Sequence, residues 1–91
     1  MVKFKKSKPT EKELQALGVK KWPKWSSPPP PGFDWEYDGK EIFYVLEGEA
    51  EIDSEGDKIS FGPGDLVTVL PETGKCHWTV KKQIKKHYNF E

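Results

Sequence analysis

The chain has 91 residues, 34% of them hydrophobic and 33% charged, which is enough for one modest core and a single domain. Its four Trp, three Tyr and five Phe exclude a disordered tail, and no apolar run approaches the ~18 residues of a membrane-spanning helix, so no membrane partner is expected. The net charge of zero hides basic ends around an acidic middle, and the absence of Arg removes the residue best suited to phosphate and guanine, so no nucleic-acid partner is expected either.

Residues 1–25 carry eight Lys and two Glu, residues 26–74 two Lys and twelve acids, and residues 75–91 five Lys and one Glu. The single cysteine, Cys76, excludes an internal disulfide framework and any multi-Cys zinc cluster. No apolar h-region follows Met1, and a reduced, cytoplasmic setting is the expectation.

Val2 to Lys6 alternates apolar and basic residues and predicts a short edge strand. Thr10 with Glu13 three residues later has capping-box spacing, and Gly18 suits a helix end, so a two-turn helix is predicted between them, with Leu14 and Leu17 as its apolar face. The stretch from Lys20 to Gly32 contains four consecutive prolines, which predict an extended crossing. Trp22 and Trp25 are expected as lids on the outside of a sheet. Residues 1–32 thus form an N-terminal strand, helix and Pro-rich crossing, and residues 33–91 the core of one domain.

From Phe33 onward the pattern has period two, which predicts half-buried strands. Strands are expected over Phe33 to Tyr37 and Glu41 to Leu46, with Gly48 as a break before Ala50 and Ile52. Asp53 to Asp57 reads as a hairpin loop, followed by a strand carrying Ile59 and Phe61. Gly62-Pro63-Gly64-Asp65 is a tight turn, with Asp65 placed to accept backbone N–H bonds. Leu66 to Leu70, Cys76 to Val80 and Ile84 to Phe90 complete seven or eight short strands. A small all-β sandwich or barrel is the economical architecture.

Glu41, six residues and Gly48, then Gly62-Pro63-Gly64-Asp65, Pro71 and Gly74, resemble the two sequence boxes of the cupin superfamily. Trp22-Pro-x-Trp25-Ser26, Phe33-x-Trp35-x-Tyr37, Tyr44 to Gly48, Cys76-x-Trp78 and Lys86-His87-Tyr88 extend the likeness. Together they resemble the small single-domain branch that includes ureidoglycine aminohydrolase and ethanolamine-utilisation cupins. The resemblance implies an RmlC-like double-stranded β-helix, or jelly-roll barrel, with a short N-terminal helix. It also implies a site inside the barrel, which in metal-dependent cupins is built from two His, a Glu and a further His. Here those four positions read Trp35, Tyr37, Glu41 and Cys76.

That donor set lacks imidazoles, so no metal ligand and no cofactor is assigned. His77 follows Cys76 directly and in a regular strand points to the other face, while His87 is expected on the surface or in a dimer interface. Trp35, Tyr37, Glu41, Phe43, Cys76 and Trp78 instead predict an aromatic pocket with a few polar groups, suited to a small-molecule ligand. Glu41 is a candidate catalytic acid or base, and Tyr37 is placed to hydrogen-bond it. Cys76 is a candidate nucleophile or a core-filling thiol. One carboxylate in an aromatic box also suits a cationic ligand.

Three functional readings follow: a metal-independent binding module, a hydrolase or isomerase related to ureidoglycine aminohydrolase with Glu41 as acid/base, and a structural or interaction protein. Ile42, Tyr44 and Leu46, opposite the Glu41 face, need a cover, from the helix, from Trp22 and Trp25, or from a second subunit in a homodimer.

Overall fold

Two strands much longer than their sequence punctuation suggests organise the molecule. The computed structural model describes residues 4–27 and 32–90. Within them run β1 (Phe4–Ser7), helix α1 (Glu11–Leu17), β2 (Lys24–Ser27), β3 (Phe33–Glu36), β4 (Glu41–Ser54), β5 (Asp57–Phe61), β6 (Leu66–Val69) and β7 (Lys75–Phe90). β4 and β7 pair antiparallel from Glu41↔Phe90 to Asp53↔His77. Each also takes two shorter partners, one near each end. β4 pairs with β6 over Glu41–Tyr44 and with β5 over Ala50–Ser54. β7 pairs with β3 over Lys75–Trp78 and with β2 over Ile84–His87. β1 extends the sheet beyond β6. The all-β expectation holds.

Alternation along the two long strands sends one set of side chains into a common core. Phe43, Val45 and Ile52 of β4, Val67 and Val69 of β6, and Trp78 and Ile84 of β7 are all at most 1% exposed. Phe61 closes the β5 side, with its ring 5.0 Å from that of Phe43 and 5.4 Å from that of Trp78. Such edge-to-face contacts add about 0.5–1.5 kcal/mol each beyond the area they bury.

Both expected interruptions are absent. Gly48 does not break β4. The register against β7 shifts between Val45 and Ala50, and Gly48 sits in that bulge with φ +91°. Its backbone lies so close to β7 that a Cβ would fall 2.1 Å from the Gln83 carbonyl oxygen. A bulge bends a strand without ending it, which is what β4 needs to serve different neighbours at its two ends. Lys81, Lys82 and Gln83 likewise do not separate two strands but form an exposed stretch within β7. Lys81, Lys82 and Lys85 lie 3.3–3.6 Å from Glu51, Glu49 and Glu47 of β4, respectively. These surface pairs fit the shifted register and contribute little stability.

The helix ends behave as expected. Thr10 accepts from the Glu13 N–H at 3.2 Å, Glu13 accepts from the Thr10 N–H at 3.1 Å, and Gly18 closes the helix in the left-handed region. Its apolar face is weaker than expected, because Leu17 is 45% exposed and the helix buries no residue. Val19, just beyond it, takes the buried position instead. The prolines at 28–31, read as a stiff crossing, lie outside the described residues.

Asp65 fixes the turn before β6. Its carboxylate accepts from the Gly62 N–H at 2.8 Å and lies 3.0 Å from the Lys8 ammonium. Burial alone would raise its pKa, but the Gly62 N–H and Lys8 outweigh burial and hold it below the ordinary aspartate value. A carboxylate depressed in the folded state stabilises the fold above its unfolded pKa, and that contribution is lost as pH falls through the folded value. Asp65→Asn should therefore cost about 1 kcal/mol in urea unfolding at pH 7. The gap should narrow as the pH falls below 3.8, the ordinary value. A gap independent of pH would mean that the charge is irrelevant to the turn.

Candidate functional site

At one end of the barrel the inward faces of β2, β3, β4 and β7 leave a half-open cavity of about 160 Å³. Its placement follows from register. Trp25 of β2 stands opposite Lys86 of β7, Phe33 of β3 opposite Trp78, and Phe43 of β4 opposite Tyr88. The N-terminal segment is fastened to β7 by the Tyr88 N–H donating to the Pro23 carbonyl at 3.0 Å. The chain leaving β3 is fastened by the Tyr37 N–H donating to the Gly74 carbonyl at 2.8 Å.

Three polar side chains meet at the cavity base. The Tyr37 hydroxyl donates to Glu41 Oε1 at 2.6 Å, and Lys86 Nζ donates to Glu41 Oε2 at 2.9 Å. Glu41 is 3% exposed, Tyr37 4% and Lys86 5%. The ammonium also faces aromatic rings, lying 4.1 Å from the centre of Phe43, 4.5 Å from Trp78 and 5.0 Å from Trp25. An ammonium taken out of water needs such compensation, which one carboxylate and several π faces supply together. Burial lowers the Lys86 pKa below the ordinary lysine value, and Glu41 offsets part of that. Burial, then the neighbouring Glu41 charge and its hydrogen bond, raise the Tyr37 phenol far above its ordinary value, so it serves as a donor.

The six expected lining residues separate. Trp35, Tyr37, Glu41 and Trp78 border the cavity, with Trp35 at the rim and 49% exposed rather than inside. Phe43 is fully buried beneath Lys86 and belongs to the core. Cys76 is buried but borders a separate, more open concavity between Asp34, Asp53 and His77.

Burial, then the Glu41 and Asp34 charges, push the Cys76 thiol up to about 11. It should alkylate with iodoacetamide at pH 7.5 about 100-fold more slowly than a free cysteine in the unfolded chain. Equal rates in native and denatured protein would restore a reactive-thiol reading.

His77 is exposed while Cys76 beside it is buried, as opposite faces of a regular strand require, and its Nδ1 lies 2.8 Å from an Asp34 carboxylate oxygen. His87 is not a surface residue. It is 6% exposed, with Nδ1 2.9 Å from the Trp22 carbonyl oxygen, because β2 and the segment before it cover that face. Trp25 is not an outer lid. Pairing with β7 turns it into the cavity, where it meets Phe33 at 5.7 Å and Trp78 at 6.1 Å, edge to face.

Trp25, Phe33, Lys86, Tyr88 and Phe90 were not assigned to the site from sequence, yet all border the cavity. Lys86 carried a usable signal. It shares strand parity with Ile84 and Tyr88, which implies a lysine facing inward, as Glu41 does.

The family profile of the EutQ-like cupin domain matches residues 14–88. The chain belongs to this cupin family. A DUF861 family protein from Thermotoga maritima is 43% identical to this cupin, aligned over 97% of this chain and 99% of that one, with a TM-score of 0.89. Clostridium difficile EutQ is 27% identical over 74% of this chain, with a TM-score of 0.65. A putative ethanolamine utilization protein Q from Salmonella typhimurium, 24% identical with a TM-score of 0.61, shares the fold. The cupin spans about half the length of these two EutQ chains (52% and 51%). No curated protein matches the sequence. Among the described residues no helix is long and apolar enough to cross a membrane.

The family positions used elsewhere for a metal do not fit one here. Trp35 and Tyr37 replace imidazoles, and Cys76 opens onto another concavity. The Glu41 oxygens are engaged by Tyr37 and by the Lys86 ammonium. Among the described residues no three His, Cys, Asp or Glu side chains are grouped so that they could hold a metal ion. A second cation at Glu41 would have to displace a tethered ammonium.

Proposed function

We propose that this cupin is a metal-independent binding module for a small neutral molecule, held in the aromatic cavity above Tyr37, Glu41 and Lys86. The observation that carries the reading is that half-open cavity, lined by Trp25, Phe33, Trp78 and Tyr88 around a buried polar base. Ligand sites combine apolar walls with a few fixed polar groups in this way. Glu41 and Lys86 neutralise each other, so a charged ligand would lose its hydration without gaining an unpaired counter-charge. The cation that an aromatic box with one carboxylate could have bound is supplied by the chain itself.

Two measurements test the reading. Elemental analysis of protein purified without a His-tag should find Mn, Fe, Ni and Zn far below one per chain, and a stoichiometric metal would overturn metal independence. A panel of small neutral aromatic compounds should quench Trp fluorescence saturably. At 100 times its Kd, a binder should stabilise the fold by about 2.7 kcal/mol. Trp35→Ala at the exposed rim should weaken that binding by about tenfold, the loss of one aromatic contact. A panel with no saturable binder would remove the cavity as a ligand site.

A further inference from the structure

Lys86 does not look like a lysine whose only task is an ion pair. Most lysines keep the ammonium in water and bury only the stem. Here the ammonium itself is buried, and its residue borders an open cavity. It is held on one carboxylate oxygen, with a phenol hydroxyl on the other.

We propose that Lys86 is a carbonyl-capturing amine, condensing with a small neutral aldehyde that enters the aromatic cavity to form an iminium that stays paired with Glu41. The proposal rests on the cavity being a ligand site. In the first step the Lys86 ammonium passes a proton to Glu41, and the freed nitrogen lone pair attacks the aldehyde carbon. The C=O π electrons move onto oxygen, which takes the proton back from Glu41. The second nitrogen proton then leaves through Glu41 to the carbinolamine hydroxyl. Water departs as the nitrogen lone pair closes the C=N bond. An ammonium and an aldehyde thus become an iminium and a water, with charge conserved and no redox partner needed.

Three features of the site support this course. Glu41 touches Lys86 at 2.9 Å, within reach for proton transfer. Burial lowers the proton affinity of Lys86, the way desolvated lysines become nucleophiles. The product iminium keeps the positive charge where the rings of Phe43, Trp78 and Trp25 already stabilise one.

The test uses wild-type protein, benzaldehyde and sodium cyanoborohydride at pH 7.5, with peptide mapping by mass spectrometry. The chain has 15 lysines, so selectivity is the readout. Lys86 should acquire a single benzyl group at least about tenfold faster than the average surface lysine, as expected of a desolvated amine. Lys86→Arg keeps a cation beside Glu41 but cannot form an imine, and should lose this adduct. Benzyl alcohol, which cannot condense, reports on the cavity alone through Trp fluorescence. Saturable quenching by the alcohol with label spread over surface lysines and absent from Lys86 would overturn the imine and leave the binding reading standing. No quenching and no Lys86 adduct would overturn both.

Discussion

Replacing Lys86 with methionine should destabilise the protein by about 3–5 kcal/mol, the usual loss when one member of a buried ion pair is removed. Lys86 and Glu41 have side-chain exposures of 6% and 4%, so the stranded carboxylate has almost no access to water. For a domain of this size the melting temperature should fall by about 15–25 °C. The partner experiment gives the result its meaning. Adding Glu41→Gln to Lys86→Met removes both charges, and the double variant should recover to within about 1.5 kcal/mol of the parent, because a neutral replacement of a buried pair is often nearly free. Urea unfolding of the parent, Lys86→Met, Glu41→Gln and the double variant yields the coupling directly. A loss under about 1 kcal/mol for Lys86→Met would place the pair in the class of solvated surface bridges and contradict its burial.

The second large effect is expected at Gly48. Gly48→Ala should cost about 4 kcal/mol, combining strain at positive φ with overpacking. The added Cβ would meet the Gln83 carbonyl oxygen at 2.1 Å, a backbone atom that cannot swing aside. Gly56 supplies the control. It has nearly the same φ, +89°, but nothing within 4 Å of the added carbon. Gly56→Ala should therefore cost only about 1 kcal/mol, the strain alone. Similar costs at both positions, read by denaturant midpoint, would mean that dihedral strain rather than the approach of β7 explains the glycine at 48.

Much of the fold was legible because its signals are local. Period two placed Tyr37, Glu41 and Phe43 on one face, and the capping box at Thr10 needs no partner from elsewhere in the chain. Asp65 was legible for the same reason, since it caps a turn three residues away. Gly48 was misread because glycine signals either a break or a bulge, and which of the two depends on a strand more than thirty residues downstream. Lys81 to Gln83 were misread because polar residues on an exposed stretch of strand resemble a loop. Trp25 was placed outside because only its pairing with Lys86 decides which way it faces.

The site was half legible. The Tyr37–Glu41 contact is local enough to have been expected. The ammonium completing it comes from residue 86, and lysine is so commonly a solvated residue that its inward parity carried little weight. The place beside Glu41 that suggested a cationic ligand is taken by the chain's own Lys86 ammonium.

The pairing of β4 with β7 also has a kinetic side. Its register couples residues 53 with 77 at one end and 41 with 90 at the other, so the loop to be closed lengthens steadily along the ladder. Loop-closure entropy makes the β4–β5 hairpin the cheap local event and favours β7 zipping against β4 from the Asp53 end. Glu41 and Lys86, 45 residues apart, belong to the late part of that process. Fold-wide contacts of this range place such proteins among millisecond-to-second folders. Their charges then stay hydrated through most of the climb to the native state. Removing the pair should consequently accelerate unfolding far more than it slows folding, so the pair acts chiefly on the lifetime of the folded molecule.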